Sequence, residues 1–171
     1  MMTAFIAARA LVFAAAFLGF WFWIIVRLES LGGALDAALP QWLVAPGVAM
    51  IALGAMLTIA CVGVFVARGH GTPAPFDPPR TFVATGPYRY VRNPMYLGAL
   101  LMFCGLSLYL RSVTVLGFTA GWLLLINAFV VFIEEPGLRD RFGATYDDYC
   151  RRVSRWLPRR AAHVSEHAVV R

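Results

Sequence analysis

The chain has 171 residues, of which 60% are hydrophobic and 14% charged; its formal net charge is +6 and its mean hydropathy +0.70. All 15 basic residues are arginine, and the three cysteines are too few for a disulfide framework. These values exclude a water-soluble domain, a disordered chain and a disulfide-stapled secreted module, and leave an integral membrane protein.

Charge-free windows long enough to cross an apolar layer of about 30 Å predict four helical spans. The first runs from about Ala10 to Val26, and the second lies within Leu43 to Ala67. The third runs from Pro94 to Leu110, and the fourth from Ser112 to Ile133, ending at Glu134. The first carries Phe20, Trp21, Phe22 and Trp23 with no small-residue cleavage site after it, which reads as a membrane anchor with an aromatic belt. Cys61 and Cys104 fall inside apolar runs and read as small buried hydrophobes, whereas Cys150 stands in a charged segment as a free thiol. The expected fold class is therefore an all-α polytopic membrane protein with four transmembrane helices.

The arginines orient this chain. Arg68, Arg80, Arg89 and Arg92 fill the connection between the second and third spans, and Arg139, Arg141, Arg151, Arg152, Arg155, Arg159 and Arg160 follow the fourth. Only Arg27 and Arg111 stand in the opposite connections. This asymmetry predicts both termini on the cytoplasmic side of a bacterial-type inner membrane. The basic excess is assigned to membrane lipids and ligands, with no nucleic-acid partner. The connection opens with GHGTPAPFDPP, an extended loop, and the tail carries a short helix in which Thr145 and Asp148 form a capping-box pattern. Tyr146, Tyr149, Val153 and Trp156 recur there at helical spacing until Pro158.

Two stretches carry chemistry. In GPYRYVRNPMYLG (86–98), Asn93 followed by Pro94 is a helix-start signal that sets Arg89 and Arg92 just ahead of a positive helix end. Two cations at that place call for an anion, either a lipid phosphate or a ligand carboxylate or phosphate. At the other end of the hairpin, Glu134 and Glu135 add negative charge to a negative helix end, which calls for tail arginines such as Arg139 or for a cationic ligand. Asn127, seven residues earlier, shares their face, and interhelical bonding is its expected role. A positive helix start facing a doubly acidic helix end suits a zwitterion.

GPYRYVRNPMYLG, followed by EEPGLRDRFGATYDDYCRRVSRWLP (134–158), resembles the isoprenylcysteine carboxyl methyltransferase and phospholipid methyltransferase superfamily of integral membrane enzymes. The resemblance covers roughly the C-terminal half and implies S-adenosylmethionine as cofactor, bound between the start of the third span and the acidic end of the fourth. It carries cofactor contacts to Arg92, Asn93, Pro94 and Tyr96, to Glu134 and Glu135, and to Tyr146 and Tyr149. The expected pocket also takes in Gly86, Tyr88, Val91, Leu97 and Leu138. Arg92 is expected to orient an anionic group and Glu135 a cationic one, these two being the candidate catalytic residues, with no metal. Several relatives have histidine where this chain has Asn93, so no titrating group is expected there.

The implied reaction is methyl transfer to a hydrophobic or lipid-like acceptor, an isoprenoid carboxylate or thiol, at the cytoplasmic interface. Alternatives are a phospholipid N-methyltransferase, an NADPH-binding reductase-like protein and a non-catalytic scaffold. The expected organisation is one membrane domain, with a two-span unit over 1–67, a catalytic part over 68–160 and a basic tail over 161–171. Membrane lipids and the methyl acceptor are the expected partners, with monomer and homodimer both open. HVSEH (163–167) matches an inverted zinc-peptidase pattern by chance, His70 is expected to be solvated in its loop, and Gly117 with Gly121 is expected to pack inside the monomer.

Overall fold

The computed structural model describes residues 2–32, 39–65, 67 and 82–158. Over these the chain is helical: α1 (Met2–Gly32), α2 (Val44–Val64), α3 (Pro94–Tyr109), α4 (Val113–Phe129), α5 (Glu135–Phe142) and α6 (Ala144–Arg152). Among the described residues there is no strand, and one isolated parallel bridge joins Val91 to Ser154. A 3-10 turn over Gln41–Leu43 leads into α2, another over Gly86–Arg89 precedes α3, and a π-turn over Val130–Glu134 joins α4 to α5. Two helical stretches, Gln41–Val64 and Val113–Phe142, are long and apolar enough to cross a membrane, and Pro94–Tyr109 is a shorter apolar helix. The GHGTPAPFDPP loop, with Arg68, His70 and Arg80, lies outside the described residues, as does the end of the chain with HVSEH.

The α2–α3 hairpin is the closest packing in the fold. Gly47, Gly54 and Cys61 recur every seven residues on the buried face of α2, and Gly98 and Gly105 do the same on α3. Run antiparallel, these faces bring backbone against backbone: a Cβ on Gly47 would lie 2.7 Å from the Gly105 carbonyl oxygen, and one on Gly105 2.6 Å from that of Gly47. Gly54 meets the Gly98 carbonyl more tightly still. In an apolar solvent, helices gain little by hiding from it, so close van der Waals contact between small residues carries the association. Gly54→Leu is therefore expected to lower stability by about 1–3 kcal/mol, as overpacked cores do. A fall in the thermal midpoint of the detergent-solubilised protein checks it, with Gly63→Leu, where no described atom lies within 4 Å of a Cβ, as the neutral comparison. The expectation for Gly117 and Gly121 is corrected: both are exposed, and among the described residues nothing lies within 4 Å of a Cβ built on either.

The aromatic belt of α1 divides. Phe20, Phe22 and Trp23 are exposed, with Arg27 over the Trp23 ring, whereas Trp21 turns inward among Phe103, Phe118 and Trp122. That cluster ties α1 to α3 and α4, each edge-on or tilted aromatic pair adding about 0.5–1.5 kcal/mol beyond its burial. At the end of the bundle away from the motifs, Arg111 adopts a positive φ of 57° and clips the α1–α2 connection: its Nε donates to the Leu39 carbonyl at 2.6 Å, and Leu39 N–H donates to the Arg111 carbonyl at 2.8 Å. Ser112 caps α4 by accepting from Val115 N–H.

Candidate functional site

The start of α3 is set by backbone chemistry. Pro94 occupies the first helical position and Asn93 the cap position, as the sequence indicates, but the Asn93 side chain makes no capping bond. Its amide instead donates to the Arg155 carbonyl at 3.4 Å. The reason is the neighbouring chain: Arg92 N–H donates to the Ser154 carbonyl at 2.8 Å beside the Val91–Ser154 bridge, so residues 153–156 run alongside 91–93. The tail thus folds back over the helix start.

The capping box at Thr145 is likewise corrected. Gly143, with φ +52°, occupies the cap position of α6, no side chain caps the helix, and Asp148 pairs instead with Arg151 and Arg152. Tyr146 and Tyr149 are buried rather than lining an open pocket. They pack with Leu138 and Val153, and with Phe82, whose ring centroid is 5.0 Å from that of Tyr149. Tyr149 O–H donates to the Tyr88 carbonyl at 2.6 Å, and burial pushes its phenol above the ordinary range, so it keeps the proton it donates. This aromatic block fastens the tail to the Gly86–Arg89 turn.

The acidic pair is split by the π-turn. Glu135 N–H bonds to the Val130 carbonyl, five residues back, and the widened turn sends the two adjacent carboxylates to different partners. Glu134 turns to α3 and accepts from Tyr96 O–H at 2.9 Å. Glu135 turns to the tail, where Arg155 holds it with two bonds, Nε to Oε1 at 2.7 Å and Nη2 to Oε2 at 2.9 Å. Arg92 Nη1 stands 3.0 Å from the same Oε1 and also donates to Cys150 Sγ. With side chains 13% and 8% exposed, Arg92 and Glu135 form a largely desolvated pair, and bonds of this charge-assisted kind are the strong ones. The hydrogen bonds it donates to Glu135 raise the Arg155 guanidinium further above its usual value.

Of the residues read from sequence, Arg92, Asn93 and Glu135 meet at one point under the tail. Pro94 and Val91 are buried beside them, and Tyr96 and Glu134 face each other one turn deeper. Tyr88 is buried in the adjoining turn with Cys61 and Val83, Gly86 begins that turn on the surface with φ +61°, and Leu97 is half-buried on α3. Arg139 is not the partner of the glutamates; it pairs with Asp147 at 2.7 Å on the surface. Asn127 does not bridge spans either: its Oδ1 accepts from Trp156 Nε1 at 2.9 Å and so pins the tail to α4. Arg155 and Trp156 are the site residues that sequence reasoning missed. The one signal for Arg155 was that two adjacent acids required a cation, and several tail arginines met that requirement equally.

An apolar helical bundle with a buried ion-pair cluster where α3 begins and α5 follows the fourth span defines, among the described residues, a membrane protein with a polar site at one end. Residues 42–145 match the family described as phospholipid methyltransferase, and the chain belongs to that family, within the membrane methyltransferase superfamily. Over 78 residues it is 40% identical to methanethiol S-methyltransferase 2 of Bradyrhizobium diazoefficiens, a match covering 42% of this chain and 27% of that protein. No solved structure matches.

Proposed function

We propose that the protein transfers a methyl group from S-adenosylmethionine to a hydrophobic or lipid-like acceptor at the cytoplasmic face of a bacterial inner membrane. In this reading α1 to α4 all span the membrane, both termini are cytoplasmic, and residues 68–160 form the catalytic part on the support of 1–67. The observation that carries it is the buried Glu135 clamped between Arg92 and Arg155 where α3 begins.

The residues present fit the cofactor. Two guanidinium groups share one carboxylate, and Arg92 Nε is buried with no hydrogen-bond partner among the described residues. The first amides of α3 have no side-chain cap. A second carboxylate is the group this donor set accepts, and Glu135 is the group that receives an ammonium. The amino-acid end of S-adenosylmethionine carries both. When bound, it supplies an electrophilic methyl on a sulfonium sulfur. Arg92 and Arg155 orient the carboxylate, Glu135 fixes both guanidinium planes, and the tail with Trp156 excludes water. Transfer of this kind rests on alignment and desolvation.

The family's description favours a phospholipid amine as acceptor, and the named relative favours a small thiol. The isoprenoid carboxylate expected from sequence is the third class. Equilibrium binding to the detergent-solubilised protein separates the methyltransferase from a reductase-like or scaffold role. Saturable binding of S-adenosylmethionine with no binding of NADPH is expected; NADPH binding alone, or neither, would overturn the proposal.

A further inference from the structure

Glu134 is not occupied by the ion pairs that hold Glu135. Among the described residues no cation touches it; Oε2 accepts from Tyr96 O–H at 2.9 Å, and Oε1 accepts nothing. The groups around it are Tyr96 from α3, the buried Tyr88 from the turn before α3, and Glu135 on its own helix. Phe132 and Ile133, just before it, are exposed on the apolar surface, and Met95 is half-buried beside Tyr96. The carboxylate therefore stands where the apolar surface ends, one side chain away from the Arg92–Glu135–Arg155 cluster.

This placement selects among acceptors. An anionic carboxylate or a phosphate headgroup arriving here meets a like charge, while the neighbouring Arg92 and Arg155 are held by Glu135 and committed to the cofactor's carboxylate. An alkyl ammonium would shed its hydration to approach across the apolar surface. A neutral thiol pays neither cost, but it is a poor nucleophile until its proton leaves.

We propose that Glu134, held by Tyr96, is the proton acceptor for an apolar thiol, which makes the protein a thiol S-methyltransferase. This rests on the methyltransferase reading above. The thiol S–H bond breaks and its proton passes to Glu134 Oε1. The sulfur electron pair forms the new bond to the methyl carbon. The electron pair of the broken carbon–sulfur bond remains on the donor sulfur, whose positive charge is lost. Tyr96 keeps its bond to Oε2 throughout and so aims Oε1. Glu134 then releases the proton to water at the interface.

The test compares 1-hexanethiol, whose proton must be removed, with 4-nitrothiophenol, already ionised at neutral pH. In the full chain, Glu134→Gln is expected to lower kcat for hexanethiol about 100-fold, the scale of general-base catalysis, and to leave or raise it for the aryl thiolate, which loses a like-charged neighbour. S-adenosylmethionine affinity, read separately by equilibrium binding, is expected to fall much less than in Glu135→Gln, because Glu135 and the arginines remain. Tyr96→Phe, which removes one oxygen, is expected to show about a tenfold loss with the same dependence on thiol acidity, and serves if Glu134→Gln does not fold. Equal losses for both thiols, a loss of cofactor affinity as large as in Glu135→Gln, or wild-type transfer confined to carboxylate or amine lipids would overturn the assignment of Glu134. Absence of both cofactor binding and methyl transfer in the wild-type protein would instead overturn the methyltransferase reading itself.

Discussion

Glu135→Gln is expected to weaken S-adenosylmethionine binding about 10- to 100-fold and to lower stability by about 3–5 kcal/mol, the cost of breaking a buried ion pair from one side. The substitution keeps the shape of the side chain and removes its charge, so Arg92, with its side chain 13% exposed, is left without its counter-ion. Arg155 is more exposed and recovers part of its hydration, which places the larger share of the loss on Arg92. Double substitution with Arg92→Ala is expected to cost much less than the sum of the two single changes, because both remove the same contact. Cofactor affinity by equilibrium binding and thermal midpoints in detergent check both statements. An unchanged affinity in Glu135→Gln would take the cofactor away from this cluster.

The second large effect belongs to the tail. Trp156→Ala removes the bond to Asn127 and leaves a half-buried amide on α4 without its partner, a loss of about 1–3 kcal/mol. Residues 153–156 then keep Arg155 and the backbone contacts with 91–93, so the cover loosens rather than detaches. Adding Arg155→Ala releases it. For the double variant, cofactor affinity is expected to fall by more than about tenfold, in keeping with the loss of two charge-assisted bonds. Trypsin is expected to cut after Arg152 much faster than in the wild-type protein. Asn127→Leu separates the two causes: it frees Trp156 without leaving a polar group in the apolar layer, so the tail loosens with a smaller stability loss.

What was legible in the sequence was local. The charge-free windows and the Asn93–Pro94 start translate directly into α2, α3 and α4, because span length and the first helical position are properties of adjacent residues. The direct pairing of Arg92 with Glu135 was not read, but the need of the acidic end of the fourth span for a cation, from a tail arginine or a ligand, was legible in kind. Which arginine completes it was not. Arg139 and Arg155 are equal by composition, and only the fold-back along 91–93 brings Arg155 to Glu135 while Arg139 stays on the surface with Asp147. The π-turn was invisible for a similar reason. Nothing in VVFIE distinguishes it from α-helix, yet it decides that Glu134 and Glu135 serve different neighbours. The glycines show a choice between patterns: the four-residue pair Gly117 and Gly121 drew attention, whereas the seven-residue pairs on α2 and α3 make the contact.

The most direct measurement incubates the purified, membrane-reconstituted protein with methyl-labelled S-adenosylmethionine and a lipid extract supplemented with small alkyl thiols, and follows label into the apolar phase. Label is expected to appear there with the wild-type protein and to be lost with Arg92→Ala. Bound cofactor with no labelled apolar product, or transfer undiminished by Arg92→Ala, would contradict a methyltransferase site built on Arg92, Glu135 and Arg155.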